Sequence, residues 1–116
     1  MTDKEMMLRR MRAAKFRRNN GAVLKAINLI HLGFKKLIDI KLAVTDSAIY
    51  NMSEAEFLDS VNFLSEEKYI ELRVISSKED ARIADYDYRN LETTVSRKGI
   101  RLLAGEFSDK QIDLNE

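Results

Sequence analysis

The chain has 116 residues, 45% of them hydrophobic and 34% charged, with a formal net charge of +1. This length and composition fit one folded domain with a single core and exclude a wholly disordered chain. No apolar run approaches the roughly 18–20 residues that a membrane helix needs. The N-terminus lacks the apolar stretch of a secretory signal, and the chain has no cysteine for disulfides or thiolate metal sites. We therefore expect a cytoplasmic protein.

The small net charge conceals an uneven distribution. Residues 1–20 carry seven basic and two acidic residues, a net charge of +5, whereas residues 21–116 carry 13 basic and 17 acidic residues, a net charge of −4. The sequence therefore predicts a basic arm on an acidic body. Such an asymmetry indicates nucleic acid, another anionic partner, or two surfaces of one protein that meet.

The N-terminal third of the chain has helical periodicity. Met7, Met11 and Ala14 follow the spacing of one helical face and predict a first helix over residues 6–18. The residues Asn19-Asn20-Gly21 favour turns and caps, so we expect the helix to be interrupted there. A second helix is predicted to follow and to end at Gly33, with His31 in its last turn.

The middle of the chain predicts two more helices. Residues 35–49 favour a helix with a short extended lead-in, although LIDIKL also fits an alternating strand. Ser53 followed by Glu56 is a capping-box pattern that starts the next helix. Its buried face is predicted to consist of Phe57, Val61 and Leu64.

After Lys68 the apolar period changes to two. Residues 69–75 predict a strand, residues 76–90 are polar and rich in turn residues, and the alternation from Leu91 predicts a returning strand. Ser96 is a candidate N-cap for a short helix. Residues 106–116 read as an acidic tail, pinned by Phe107, Ile112 or Leu114.

Two segments carry a resemblance to a known fold family. The stretch MSEAEFLDSVNFLSEEKYIELR is similar to the junction of third helix and wing in winged helix-turn-helix domains, and TVSRKGIRLLAGE resembles the strand, cap and helix that close them. The order of the two segments is similar to that in small single-domain winged-helix proteins, several of which are encoded by phages or prophages. The Gly after Lys98 is expected to permit a close backbone approach.

The resemblance implies an α+β fold in which a three-helix core and a β-hairpin wing occupy residues 21–105. A basic helical arm over residues 1–20 would precede this domain. A short helix would close this domain, and an acidic tail over residues 106–116 would follow it. The resemblance also implies nucleic-acid binding, as in a phage-type transcriptional regulator, with the third helix in the major groove and the wing along phosphates.

The third helix departs from that pattern. On a wheel at 100° per residue, the side opposite its buried face carries four acids and no base. Carboxylates beside phosphates oppose binding, so we expect this helix not to read bases. Phosphate contacts would then fall to bases of the N-terminal arm and the wing: Arg9, Arg10, Arg12, Lys15, Arg17, Arg18, Lys78, Arg82 and Arg89. Residues 76–90 nevertheless have a net charge of −1, which also fits a solvated hairpin.

A second hypothesis is a protein-interaction or assembly module without DNA binding. Phe63 lies in an acidic border on the third helix, which suits a protein contact but also suits packing under the N-terminal helix or the tail. The N-terminal helix could cover this acidic face in its own subunit or reach across to another, and we expect a homodimer formed through this helix. The residues assigned to protein interaction are Met7, Met11, Phe16, Glu56, Asp59, Phe63, Glu66 and Glu67.

Catalysis has little support in the sequence. His31 is the single histidine, no glycine-rich loop follows a strand, and the carboxylates of DYDYR lack a third metal ligand. We therefore predict a protein that is not an enzyme and that needs no cofactor or metal.

Overall fold

A computed structural model describes residues 1–30, 33–46 and 49–115. Within these ranges the chain is an α+β protein with four α-helices and one three-stranded antiparallel sheet. In chain order the elements are α1 (Asp3–Ile30), β1 (Lys35–Lys36), α2 (Leu37–Thr45), α3 (Glu54–Glu66), β2 (Ile70–Val74), β3 (Leu91–Val95) and α4 (Arg97–Leu103). Two single 3-10 turns, Ile83–Asp85 and Tyr88–Asn90, lie between β2 and β3.

The sheet has the strand order β1-β3-β2. In the register of β2 and β3, Ile70 lies opposite Val95 and Leu72 lies opposite Thr93. The short β1 joins the other edge of β3, where Lys35 also lies opposite Thr93. The two longer strands predicted from the alternating pattern are therefore confirmed.

The core lies between the three longer helices and the sheet. Helix α3 buries Phe57, Val61 and Leu64 completely, which confirms the predicted face. Other apolar side chains with no exposed surface come from α1, α2 and β3: Val23, Leu24, Ile27, Leu37, Ile40, Val44 and Leu91. Burial of one Leu or Phe side chain contributes about 1.5–3 kcal/mol, so this shared core is the main source of stability.

The predicted interruption of the first helix at Asn19-Asn20-Gly21 is wrong, because α1 is one continuous helix of 28 residues. The three residues are buried where the C-terminal tail crosses the helix. The Asn20 side-chain amide donates to the Gln111 carbonyl at 2.9 Å. Asn and Gly therefore occur here because they leave room for the crossing tail and bond to it, and not because the chain turns. The second helix is predicted to end at Gly33. Helix α1 is described as far as Ile30, and Gly33 has a positive φ of 86°. His31 lies outside the described residues.

The ambiguous segment after Gly33 resolves in favour of the helix. Residues Leu37–Thr45 form α2, and the short extended lead-in is β1. The alternating-strand interpretation of LIDIKL is therefore wrong, because Leu37, Ile40 and Val44 meet the core at helical spacing.

Both predicted N-caps are present. The Glu56 N–H donates to Ser53 Oγ at 3.1 Å and the Ser53 N–H donates to Glu56 Oε1 at 2.9 Å, which completes the capping box of α3. Ser96 Oγ accepts from the Gly99 N–H at 3.1 Å and caps α4. The two caps fix where both helices begin.

The C-terminal tail packs on the body, as its apolar residues predict. Ile112 is buried, Leu114 is half-buried, and the Phe107 ring stacks on Tyr69 with a centroid distance of 6.4 Å. The Asp113 N–H donates to the Arg17 carbonyl at 3.0 Å, which attaches the tail to the middle of α1. Within the described ranges, none of the helices combines the length and apolar character that crossing a membrane requires.

Candidate nucleic-acid interface

Helix α1 divides into a projecting half and a packed half. All side chains of residues 1–13 are exposed, whereas residues 19–24 are buried in the body. A helix of 28 residues is about 42 Å long. Its N-terminal half, hereafter the projecting segment (residues 1–13), therefore extends beyond the body.

The bases of α1 differ in whether a carboxylate neutralises them. Arg9, Arg10, Arg12 and Arg18 are exposed, and in the part of the chain that the structure describes none of them forms an ion pair. Arg17 is half-buried and also has no ion-pair partner among those residues. The helix therefore presents arginine charge to solvent around much of its circumference.

Lys15 is the exception among these bases. Its Nζ lies 3.0 Å from Glu56 Oε2, so α1 is linked to the start of α3. The Ser53 backbone N–H and, more weakly, the Lys15 ammonium lower the pKa of the Glu56 carboxyl against the opposing effect of burial. Lys15 is therefore already paired with a carboxylate of its own chain.

Helix α1 covers the flank of α3 that carries Phe63. The rings of Phe16 and Phe63 meet edge to face with centroids 5.4 Å apart, and both side chains are half-buried. Together with Lys15 and Glu56, this contact places the basic helix over the acidic helix of the same chain. Of the alternatives that the sequence left open for Phe63, the structure shows packing under the N-terminal helix.

The remaining outward side of α3 is a ridge formed by Ala55, Asp59, Asn62 and Glu66, all exposed and none basic. Glu66 Oε1 lies 2.9 Å from the Arg82 guanidinium. Glu67 ends the helix, and its carbonyl accepts from Lys98 Nζ at 2.8 Å. This ridge keeps the acidic character that the sequence predicts.

The connection between β2 and β3 is folded against the body. The Val74 N–H donates to the Glu79 carbonyl at 2.8 Å and the Ala81 N–H donates to the Leu72 carbonyl at 3.0 Å. Residues 79–81 therefore run along the outer edge of β2. Further on, the Tyr88 hydroxyl donates to Glu54 Oε1 at 2.6 Å, so the end of the connection is tied to the start of α3.

Each base predicted to contact phosphate in this connection already has a carboxylate neighbour. Lys78 Nζ lies 3.2 Å from Glu92, an Arg82 nitrogen lies 2.9 Å from Glu66, and an Arg89 nitrogen lies 3.0 Å from Asp87. The pairs of Arg82 and Arg89 are exposed and weak, about 0–1 kcal/mol each, whereas Lys78 meets the buried Glu92. They still reduce the positive potential that the connection presents to solvent.

The sequence did not point to the cluster around Glu92. This buried carboxylate accepts from Arg73 and Lys78, and the Arg73 guanidinium also lies 3.5 Å over the Phe34 ring. Burial alone would raise the pKa of Glu92, but hydrogen bonds and charge from Arg73 and Lys78 lower it overall. Arg73 and Glu92 lie directly opposite each other in the sheet, so the strand register was the signal that could have found the pair.

The described residues contain no group of three His, Cys, Asp or Glu side chains arranged to hold a metal ion. Comparisons with protein-family models, with curated proteins and with solved structures found no match to this chain.

Proposed function

We propose that this chain is a winged-helix protein that binds nucleic acid through phosphate contacts from α1 rather than through α3. The order helix, short strand, two helices and two paired strands, with sheet order β1-β3-β2, supports the winged-helix assignment. The role would be that of a small transcriptional regulator of the phage type. Function is inferred from the binding surface, since the fold alone hosts many activities.

One observation carries the proposal: Arg9, Arg10, Arg12 and Arg18 are exposed and lack carboxylate partners among the described residues. Arginine presents several donors that suit phosphate oxygens, and its charge persists at every physiological pH. Because these residues point to several sides of one exposed helix, α1 could contact the phosphates of both strands that flank a groove, without any rearrangement of the body.

Helix α3 is a poor candidate for reading bases. Its exposed ridge lacks a basic residue, and α1 covers the neighbouring flank at Phe63. Affinity for DNA comes mainly from Lys and Arg neutralising phosphates. We therefore expect binding with little sequence preference from this helix, with the bases of the β2–β3 connection making a smaller contribution.

The alternative of an assembly module that docks through Phe63 and its acidic border has less support. The Phe63 ring already contacts Phe16 of the same chain, and Glu56 already pairs with Lys15. Both residues would have to leave these partners before they could meet another protein.

The test is a salt titration of binding to random duplex DNA, followed by fluorescence anisotropy. Contacts from four arginines predict a slope of log K against log salt of about −3.6, and each arginine removed should reduce its magnitude by about 0.9. The variant R9Q/R10Q/R12Q/R18Q should bind weakly at every salt concentration.

The matched control is K78Q/R82Q/R89Q, which removes three charges that already have carboxylate neighbours. It should retain most of the affinity. The proposal is wrong if the parent protein does not bind at low salt, or if the control variant loses more affinity than the α1 variant.

A further inference from the structure

An apolar stripe on the projecting segment faces solvent. At 100° per residue, Met7, Met11 and Ala14 fall within an arc of about 60°. Phe16, which faces α3, lies on the opposite side of the helix. Met7 is 62% exposed and Met11 is 60% exposed, so the two methionines have no cover among the described residues, whereas Ala14 is half-buried.

The projecting segment lacks the support that helices of this length need. An isolated helix shorter than about 12–15 residues is marginal in water, and most helix stability in proteins comes from packing of an apolar face. Residues 3–13 are helical with every side chain exposed. The packed half of α1 nucleates the helix, and a partner on the methionine stripe would stabilise the projecting segment.

We propose that a second copy of this chain covers the stripe, its α1 running antiparallel. Met7 of each copy would then lie opposite Met11 of the other, and Leu8, which is 41% exposed, would flank the contact. Phe16 takes no part, because it packs on Phe63 of its own chain. The homodimer therefore differs from an exchange of helices between subunits.

The distribution of charge selects the antiparallel orientation. In that orientation Asp3 of one copy lies beside Arg17 of the other, and this attraction occurs twice. A parallel pair would place Lys4 against Lys4 and Arg10 beside Lys15, with no acid opposite a base. The antiparallel pair still sets the two Arg10 side chains near each other, but both are exposed and can turn away into solvent.

The contact is small, since it rests on a few apolar side chains from each helix. It falls at the lower end of specific interfaces, below about 1,200 Å² of total buried surface. We therefore expect a dimer that dissociates on dilution through the micromolar range. Because each arm carries a net charge of +5 over residues 1–20, added salt should screen the repulsion and tighten the dimer. Nucleic-acid binding should respond to salt in the opposite direction, so the two proposals can fail separately.

Sedimentation equilibrium of the full chain across a concentration series tests the proposal. The mass should rise from 13.4 kDa towards twice that value. Met11→Glu should abolish the rise, whereas Met6→Glu, the same change about 80° outside the stripe, should preserve it. Both side chains are exposed, so both variants should match the far-ultraviolet circular dichroism of the parent at concentrations where the parent is a monomer.

Cysteine variants test the orientation, and the parent chain contributes no cysteine of its own. In a glutathione buffer, Met7→Cys mixed with Met11→Cys should give a disulfide-linked heterodimer, and neither variant alone should cross-link. Efficient cross-linking of each variant alone would overturn the antiparallel arrangement. The dimer proposal itself is overturned by a monomer at all concentrations, by a dimer that survives Met11→Glu, or by a monomer that binds anionic lipid vesicles through the stripe.

Discussion

The carbonyl oxygen of Asp113 occupies the space beside Gly21 in the middle of α1. A Cβ atom built on Gly21 would lie 1.9 Å from that oxygen, closer than any two such atoms can approach. The tail can cross the helix only because position 21 has no side chain. Two hydrogen bonds, from Asn20 to Gln111 and from Asp113 to Arg17, hold it there.

We predict that Gly21→Ala destabilises the protein by about 1–3 kcal/mol, although Ala normally stabilises a helix interior relative to Gly. The added methyl group should displace the tail and expose it to protease. Urea unfolding gives the free energy, and limited proteolysis reports the tail. In a chain that ends at Lys110 the clash is absent, so there the same substitution should stabilise by about 0.5–1 kcal/mol. Destabilisation in both backgrounds would contradict the proposed cause.

We predict that Gly99→Ala destabilises by about 3 kcal/mol, at the upper end for single substitutions. A Cβ at Gly99 would lie 2.3 Å from the Tyr69 carbonyl oxygen and 2.6 Å from Val95 Cγ1, so α4 would have to move off the sheet. The exposed Arg97→Ala in the same helix should change the unfolding free energy by less than about 0.5 kcal/mol. Equal effects of the two substitutions would show that the close approach at Gly99 does not contribute to the free energy of unfolding.

We predict that Phe16 and Phe63 are energetically coupled. Each change to Ala should cost about 2 kcal/mol, less than for a fully buried ring because both side chains are half-buried. In a double-mutant cycle the coupling should be about 0.5–1.5 kcal/mol, as for aromatic pairs in general. Urea unfolding of the four proteins measures it. Strict additivity would indicate that the ring contact contributes nothing beyond its buried area.

We predict that Glu92→Gln destabilises by about 1–2 kcal/mol at neutral pH, because charged hydrogen bonds from Arg73 and Lys78 are weakened. The folded-state pKa of Glu92 is lowered, so the stabilisation is present above the carboxyl's ordinary pKa and disappears as the pH falls through the folded-state value. The difference between parent and variant should therefore shrink as the pH falls below the ordinary pKa of a Glu carboxyl. Unfolding curves over this pH range test it, with the exposed Glu71→Gln as the control. A difference that does not change with pH would contradict the assignment to charge.

Elements set by local chemistry were predictable from the sequence. The capping box of Ser53 and Glu56 and the period of Phe57, Val61 and Leu64 depend on residues a turn or two apart, so they identified α3 and its buried face. The alternation after Lys68 identified β2 for the same reason. The Gly after Lys98 indicated a close backbone approach, which Gly99 makes to the Tyr69 carbonyl.

Features that depend on distant partners were not predictable. The Asn19-Asn20-Gly21 tract suggested a helix end because its true partner is a tail segment 91 residues away in sequence. The phosphate-contact interpretation of Lys78 took no account of Glu92, which faces it only once the strands are paired. In both cases, composition alone could not distinguish a residue that meets solvent from one that meets another part of the chain.

Because α1 is unbroken, helix geometry sets the position of the N-terminal segment relative to the body whenever that segment is helical. Without a hinge at residues 19–21, whatever binds the tip is held at a set distance and rotation from the body. One extra alanine inserted after Ala13 would turn the tip by about 100° and advance it by about 1.5 Å, whereas seven would nearly restore its facing about 10 Å further out. The length of α1 thus sets how far from the body, and in which direction, a molecule bound at its N-terminal end is held.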